Sequence, residues 1–305
     1  MKILIVCSRN SGNVAPFITD QVTALENDGI ICDYFYIHGK GFWGYLKNRK
    51  RLLTKIKEFC PSLIHAHYGL SGLLANTQRM IPVITTYHGS DINNPQIYWL
   101  SRLSMKLSKW NIFVSQKNID KSGVNTRYSL IPCGVDMSLF KSIDKNEARK
   151  ALGLNEMDLL VLFAGSFSNK VKNPELAIES VKQFSDVKLI ELKGYSREQV
   201  SLLMNAVDAC LMTSFTEGSP QFIKEAMACN CPIVSVNVGD VEEFICETKG
   251  CYICSYNESE ITAKLKRIFS DNVRTDGRKR IIERKLSSDQ VSNQLIQLYS
   301  KILKV

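Results

Sequence analysis

Two glutamates eight positions apart, Glu217 and Glu225, flank a sequence that predicts the start of a helix. The start signal is the tripeptide Gly218, Ser219 and Pro220, with Ser as the N-cap and Pro as the first helical residue. The free N–H groups of a helix start attract phosphate. An ionised carboxylate offers two acceptor oxygens to a diol. This stretch therefore predicts a site for a pyrophosphate whose carrier also bears a diol.

The histidine at position 88 directly follows an apolar run, Ile81 to Tyr87, that predicts a strand. Open α/β sheets bind ligands at the carboxyl ends of their strands, where His88 and the Gly89-Ser-Asp loop would lie. A histidine whose hydrogen bonds are satisfied within its own loop is the alternative interpretation.

A second pair of histidines, His65 and His67, lies on one face of a predicted strand because strand side chains alternate with a period of two. Such a pair could bind a metal ion, but no third ligand is near in the sequence. Packing at the end of the strand is the alternative.

Lys172 lies in a polar loop between a strand, Leu159 to Ala164, and a helix that begins near Pro174. A lysine in a strand-to-helix loop can contact an anion at the helix start. A solvated surface charge is the alternative interpretation.

The elements that position these residues alternate between strands and helices along the whole chain. Lys2 to Cys7 predicts a buried first strand, a polar turn containing Gly12 follows, and a helix begins at Pro16. This order predicts an α/β protein with doubly wound parallel sheets. The first turn lacks G-x-G-x-x-G, which argues against a dinucleotide site.

Composition places the chain among soluble globular proteins. It has 305 residues, 45% of them hydrophobic and 23% charged, which is enough for two domains. The initial apolar run is too short for a signal peptide, and no run approaches the roughly 20 apolar residues of a membrane span, so a cytoplasmic protein is predicted. The ten cysteines are predicted to be free thiols.

The net charge of +9 is concentrated in the first half, where residues 1–150 contain twice as many basic as acidic residues. Residues 42–59 predict a basic amphipathic helix. Such a helix can lie on anionic lipid headgroups or can pack its apolar stripe on its own sheet. Because no nucleic-acid module is recognisable, no nucleic-acid partner is predicted.

The stretch from Glu217 through EGSPQFIKE, AMACNCPIVS and GDVEE resembles the E-x7-E segment of retaining glycosyltransferases of the GT-B fold, group 1 (family four), of the bacterial cell-surface polysaccharide type. An ordinary α/β domain explains the hydrophobic pattern but gives no reason for these polar residues together. The resemblance implies two Rossmann-like domains that face a cleft. We expect an acceptor-side domain at residues 1–140, with helix 289–305 packing back on it, and a nucleotide-sugar-binding domain at 155–288.

The resemblance also implies roles for site residues. Glu217 is expected to contact the donor sugar and Glu225 the donor ribose, with His88 facing the sugar from the opposite domain. Lys172 is expected to stabilise the diphosphate. The remaining donor-binding candidates are Gly12, Gly165, Ser166, Lys170, Gly194, Tyr195, Gly218, Ser219 and Pro220. Ser166 occupies the usual place of an arginine, for which Lys170 could substitute, and Tyr195 could stack on the base. Cys133 replaces the usual asparagine of the I-P-N-G-V-D loop.

The expected reaction is front-face transfer from a nucleotide sugar, which is a substrate rather than a cofactor, to a lipid-linked or oligosaccharide acceptor. No D-x-D motif occurs, so no metal ion is expected. We expect the protein in the cytoplasm, with peripheral attachment to the anionic inner membrane face. A nucleotide-sugar 2-epimerase and a non-catalytic GT-B-like binding subunit are alternatives. The sequence does not name the sugar, base or acceptor.

Overall fold

A computed structural model describes residues 1–10 and 12–304 of the chain. The chain divides into two compact units: unit 1 is Met1–Gly134 with Ser288–Val305, and unit 2 is Val135–Ser287. Both are α/β, as the alternating pattern predicts. Position 11 of the predicted first turn and position 305 of the predicted last helix lie outside the described residues.

Unit 1 is built on a parallel six-stranded sheet with the order β2-β1-β3-β4-β5-β6. Its strands are β1 Lys2–Ser8, β2 Ile31–Ile37, β3 Leu63–His67, β4 Val83–Tyr87, β5 Trp110–Phe113 and β6 Tyr128–Leu130. Its helices are α1 Pro16–Asn27, α2 Gly41–Leu46, α3 Arg49–Phe59, α4 Gly69–Ala75, α5 Ser90–Asn93, α6 Pro95–Leu107, α7 Gln116–Ser122 and, from the end of the chain, α15 Ser288–Leu303.

The first strand shows why the sheet is covered on both faces. Five consecutive residues of β1 are buried, so its alternate side chains must find apolar partners on opposite sides. Ile3 and Ile5 pack with α1 and α15. Leu4 and Val6 pack with α3 and α4. The last helix thus completes the core of unit 1.

Unit 2 is built on a parallel five-stranded sheet with the order β11-β10-β9-β7-β8. Its strands are β7 Leu159–Phe163, β8 Val187–Glu191, β9 Ala209–Met212, β10 Ile233–Val236 and β11 Cys251–Cys254. Its helices are α8 Lys145–Leu152, a 3-10 turn Lys170–Lys172, α9 Pro174–Val181, α10 Arg197–Ala206, α11 Gln221–Ala228, α12 Val241–Ile245, α13 Glu258–Asp271 and α14 Gly277–Glu283.

The strand orders identify where each sheet has its crevice. The chain reverses its direction of travel across the sheet between β1 and β3 in unit 1, and between β7 and β9 in unit 2. Helices that follow neighbouring strands at such a point cover opposite faces, which leaves a crevice at the carboxyl ends. The loops after β1, β3, β7 and β9 therefore border the two crevices.

The predicted basic helix is two helices, because the chain breaks at Asn48. The Asn48 amide donates hydrogen bonds to the carbonyl oxygens of His38 (2.9 Å) and Gly44 (2.8 Å), and α3 begins at the next residue. Only Leu52 and Ile56 of α3 are fully buried.

Two further predictions concern the whole chain. All ten cysteines are free thiols, as predicted. Among the described residues, no helix is both long enough and apolar enough to cross a membrane.

Candidate active site

Lys172 is fixed where β7 and β9 end side by side in unit 2. The Thr213 hydroxyl, which follows β9, donates to the carbonyl oxygens of Lys172 (3.0 Å) and Asn173 (2.8 Å). Gly165, which follows β7, lies under the lysine side chain: a Cβ at this position would come within 2.8 Å of Lys172 Cγ. The absence of a side chain at Gly165 therefore lets Lys172 lie across the strand end.

The Lys172 ammonium forms an ion pair with Glu217, with 2.6 Å between Nζ and Oε1. The two side chains are 25% and 16% exposed, so the pair is shielded but reachable from solvent. An ion pair in this position gains more than one on an open surface. The structure thus brings Gly165 and Lys172 together with Glu217, which lies 45 positions after Lys172 in the sequence.

Helix α11 begins after Pro220, and its N-terminus carries no side-chain cap. The predicted N-cap role of Ser219 is wrong, since its hydroxyl is buried and does not accept from the helix. Gly239 lies against this loop: its φ is +59°, and a Cβ there would come within 2.9 Å of the Gly218 carbonyl oxygen. The uncapped N–H groups of α11 remain suited to an anion.

Glu225 is paired with Arg197, a residue that the sequence analysis missed. Their NH1 and Oε1 atoms are 2.6 Å apart, and the Glu225 side chain is only 5% exposed. The Arg197 guanidinium also stacks on the Phe140 ring, with 4.6 Å to its centroid. A charged residue at the first position of a helix that follows a strand was the available signal, because α10 begins at Arg197.

The loop after β8 leads into Arg197, which contacts Glu225. Gly194 has a φ of +83° and Tyr195 is 39% exposed, two residues before Arg197. A capping box of Ser196 and Gln199 fixes the helix start. Tyr195 therefore lies, partly exposed, in the loop that leads into the helix whose first residue pairs with Glu225.

Among the described residues, the Ser166 and Lys170 side chains form no hydrogen bond or ion pair with the Lys172–Glu217 pair or the Arg197–Glu225 pair. The Ser166 hydroxyl donates to Glu191 Oε2 (3.1 Å), which also accepts from the backbone N–H of Phe167 (2.8 Å). Lys170 is exposed. The loop that lacks an arginine is thus held by a carboxylate instead.

Helix α11 also carries a buried basic residue. Lys224 is fully buried, with its ammonium 5.8 Å from the Phe244 ring centroid. Burial raises the pKa of Asp240 to about 6, although the Lys224 ammonium lowers it. These residues stabilise the junction between the loop at Gly218 and helix α12.

In unit 1, His88 lies at the carboxyl end of β4, as predicted. Asp91 fixes its backbone: one carboxylate oxygen accepts from the N–H groups of His88 (3.1 Å) and Gly89 (3.0 Å), and the other accepts from Gly69 (2.9 Å). Burial raises the pKa of Asp91 to about 6, and the backbone hydrogen bonds oppose this. The loop after β4 is thereby tied to the loop after β3.

Gly12 belongs to the loop after β1. In unit 1 the chain reverses its direction across the sheet between β1 and β3. Its φ is +97°, and a Cβ there would meet no atom within 4 Å. Its carbonyl oxygen accepts from Arg9 Nε at 3.0 Å. A side chain at this position would be strained by the backbone conformation rather than by crowding.

His65 and His67 lie on one face of β3, as predicted, with ring centroids 4.6 Å apart. Both are fully buried. His65 uses both ring nitrogens, Nδ1 with the Tyr299 hydroxyl (2.6 Å) and Nε2 with the Thr86 hydroxyl (2.7 Å). Of the two interpretations, packing at the end of the strand describes His65.

Comparison with known proteins connects these two units to one family. The family model for Glycosyltransferase Family 4 matches residues 5–139. The model for Glycosyl transferases group 1 matches residues 154–271. Together the two models cover most of both units.

Among curated proteins, the chain is 28% identical over 221 residues to a teichuronic acid biosynthesis glycosyltransferase of Bacillus subtilis, TuaC, covering 61% of this chain and 56% of that protein. It is 21% identical over 266 residues to a D-inositol 3-phosphate glycosyltransferase of Mycobacterium marinum, covering 70% and 57%. The chain thus spans a little over half the length of the curated relatives it matches.

Among solved structures, sucrose-phosphate synthase from Thermosynechococcus elongatus has a TM-score of 0.88 at 16% identity, covering 100% of this chain and 99% of that one. HepE from Anabaena, in complex with UDP-glucose, has a TM-score of 0.76 at 17% identity, covering 99% and 100%. These likenesses show the fold. With two parallel sheets and two family models over most of its length, the chain belongs to the group 1 glycosyltransferases of the GT-B fold.

Proposed function

We propose that the protein transfers a sugar from a nucleotide-sugar donor to a saccharide acceptor in the synthesis of a cell-surface polysaccharide. The observation that carries the proposal is the pair of ion pairs in unit 2, Lys172 with Glu217 and Arg197 with Glu225. They place two cations and two carboxylates on or beside helix α11, whose start carries no side-chain cap. That is the set of groups that a diphosphate, a sugar and a ribose require. The UDP-glucose complex of HepE supports a donor of this class.

In the proposed reaction the bond between the anomeric carbon and the diphosphate oxygen breaks, and a bond from the acceptor oxygen forms on the same face. The acceptor proton passes to the leaving diphosphate, so the anomeric configuration is retained. Lys172 turns from Glu217 toward the diphosphate and stabilises its developing charge together with the N–H groups of α11. Glu217 then accepts from sugar hydroxyls, while Glu225 accepts from the ribose and His88 contacts the sugar.

The donor class is tested by thermal unfolding of the whole chain with a panel of UDP-, GDP- and ADP-sugars. A ligand at 100 times its Kd adds about 2.7 kcal/mol to the free energy of unfolding. We expect one nucleoside class to raise the melting temperature. No shift with any nucleotide sugar would contradict the proposal.

Two alternatives leave different products. A nucleotide-sugar 2-epimerase returns the donor as its epimer, which chromatography of the recovered nucleotide sugar detects. A non-catalytic binding subunit is stabilised by the donor but leaves it intact in the presence of every acceptor. The serine at position 166 is the feature that favours the binding subunit.

We further propose that transfer needs no divalent metal ion. The sequence contains no D-x-D motif, and Lys172 with the α11 N–H groups supplies positive charge for the diphosphate. Turnover measured in excess EDTA is expected to equal turnover in added Mg²⁺. A loss of activity in EDTA that Mg²⁺ or Mn²⁺ restores would contradict this prediction.

We also propose that the acceptor is lipid-linked and that unit 1 docks on an anionic membrane surface through α2 and α3. Lys47, Arg49, Lys50 and Arg51 are exposed. Trp43, in the preceding helix, is 71% exposed. A groove of about 450 Å³ between β2 and α3 is lined by basic residues and by the stacked rings of Tyr34 and Tyr36. Near an anionic surface each basic residue contributes about 1 kcal/mol.

The docking prediction is checked by sedimentation with vesicles of anionic or neutral lipid. Binding to anionic vesicles is expected to weaken at high salt, because screening shortens the Debye length from roughly 8 Å at physiological ionic strength. Reversal of Lys47, Arg49, Lys50 and Arg51 to Glu is expected to abolish it. The matched control reverses four exposed lysines of unit 2: Lys182, Lys249, Lys266 and Lys279. Equal losses of vesicle binding in the two variants, or vesicle binding that does not depend on salt concentration, would contradict the docking surface. Neither result would bear on the proposed transfer reaction.

A further inference from the structure

Three histidine rings form a stack at the carboxyl end of the sheet in unit 1. His65 and His67 belong to β3, and His88 follows β4. Neighbouring ring centroids are 4.6 Å apart between His65 and His67, and 5.3 Å apart between His67 and His88. The proposed function uses His88 alone, so the two buried rings behind it need their own explanation.

The first ring of the stack is held rigidly. His65 has one hydroxyl on each nitrogen, that of Tyr299 from α15 and that of Thr86 from β4. Burial lowers the pKa of His65 to about 3, so the ring is neutral at physiological pH. A neutral ring with both nitrogens bonded cannot rotate without losing a buried hydrogen bond. His65 therefore fixes the plane on which His67 stacks.

The second ring shares one proton with the third. His67 Nδ1 lies 3.0 Å from His88 Nε2, so one of these two nitrogens donates and the other accepts. The other nitrogen of His67, Nε2, is buried and has no hydrogen-bond partner among the described residues. Burial and the two neighbouring histidines lower the pKa of His67, which leaves the ring with a single N–H.

The position of that N–H follows from the unpartnered nitrogen. A proton on His67 Nε2 would be a buried donor without an acceptor, the rarest kind of unsatisfied group in proteins. A proton on Nδ1 is used in the hydrogen bond to His88 and leaves only a lone pair on Nε2. His67 is thus the donor, and His88 Nε2 is the acceptor.

We propose that His67 is a positioning residue that fixes His88 as the tautomer protonated at Nδ1. His88 Nδ1 lies 3.7 Å from the Cys133 sulfur, a weak acceptor, on the side of the ring away from His67. This inference rests on the proposed function, in which His88 contacts the donor sugar. His88 then acts through Nδ1 as a hydrogen-bond donor to a sugar oxygen and does not act as a base through Nε2.

The test is the tautomer of His88, read from the ¹⁵N shifts of the four histidines in the full chain, with His88 assigned by its loss in H88N. We expect an unprotonated Nε2 and a protonated Nδ1. The variant H67N can place an amide N–H near the position of Nδ1 and is expected to preserve this tautomer. The variant H67F keeps an aromatic ring but has no hydrogen-bond donor, so we expect His88 to lose this tautomer. A wild-type His88 that carries its proton on Nε2 would overturn the inference.

Y299F is the matched control, since it also removes one hydrogen bond from the buried stack but leaves His67 and His88 unchanged. Its His88 tautomer is expected to match the wild type, and a changed tautomer would show that general loosening, not His67, sets it. In turnover, H67F is expected to lower kcat about tenfold, equivalent to one hydrogen bond of about 1.4 kcal/mol, with H67N restoring most of the loss. Equal kcat in H67F and wild type would also overturn the positioning role. Because the shifts are measured without substrate, a failed tautomer and a failed function are distinguishable.

Discussion

Replacing Glu225 with glutamine is expected to weaken binding of the free nucleoside diphosphate about 100-fold, which corresponds to about 2.7 kcal/mol. Hydrogen bonds to a charged group contribute about 1.5–3 kcal/mol each, and a ribose diol would lose its charged acceptor. The Glu225 side chain is 5% exposed and sits against Arg197, so water cannot easily replace it. Titration calorimetry with the nucleotide that stabilises the wild type measures the effect.

The matched control is Glu179→Gln, the same change at a helical glutamate in an exposed ion pair with Lys182. We expect no change in nucleotide affinity there, since exposed pairs contribute little. The thermal unfolding of both variants is compared without ligand, because Glu225→Gln also removes the partner of Arg197. Unchanged affinity in a folded Glu225→Gln protein would refute the ribose assignment.

Replacing Lys172 with alanine is expected to lower kcat by about 100- to 1000-fold, the loss typical when one donor to a developing oxyanion is removed. Donor affinity is expected to fall much less, because the charge on the leaving diphosphate is larger in the transition state than in the bound donor. Single-turnover rates and equilibrium binding, measured separately, give the two numbers.

Two further variants serve as controls for Lys172→Ala. Lys172→Arg keeps the charge but not the compact ammonium, so we expect partial activity. Lys182→Ala removes an exposed lysine just after the next helix, α9, and is expected to leave the rate unchanged. Equal losses of rate and affinity in Lys172→Ala would assign the residue to uniform binding, and no loss in either would make it a surface charge.

The sequence predicts the α/β architecture well because its strands are buried on both faces. Runs such as Ile3 to Cys7 have no polar side to turn toward water, so only a sheet covered by helices on both sides can accept them. Helix starts were also readable where proline marks them, as at Pro16 and Pro174. The placement of Lys172 and His88 at strand ends follows from the same pattern.

Short-range sequence patterns gave wrong predictions where tertiary contacts determine the local structure. Serine is a favoured N-cap residue, but the loop of Ser219 packs against Gly239. The Ser219 hydroxyl is therefore buried and does not cap the helix. Residues 42–59 have one continuous apolar stripe, yet Asn48 binds the His38 carbonyl and divides the helix. Neither contact has a short-range signature.

The hydrogen-bond and ion-pair partners of the site residues are the hardest feature to predict from the sequence. Arg197 precedes Glu225 by 28 positions, and Tyr299 is 234 positions from His65. An arginine at a helix start marks Arg197 as a candidate site residue but does not identify Glu225 as its partner, and a lone tyrosine in the last helix does not identify His65. The sequence therefore predicts which residues carry charge at the site, while the structure supplies what orients them.

If this chain moves a sugar from a nucleotide donor to an acceptor, release of the nucleoside diphosphate must depend on the acceptor. The whole chain is incubated with the stabilising nucleotide sugar, with and without a bacterial lipid extract, and followed by phosphorus NMR. We expect the extract to accelerate release of the nucleoside diphosphate, and Lys172→Ala to abolish nearly all of it. A donor that binds but stays intact with every extract, or returns only as its epimer, would contradict sugar transfer by this chain.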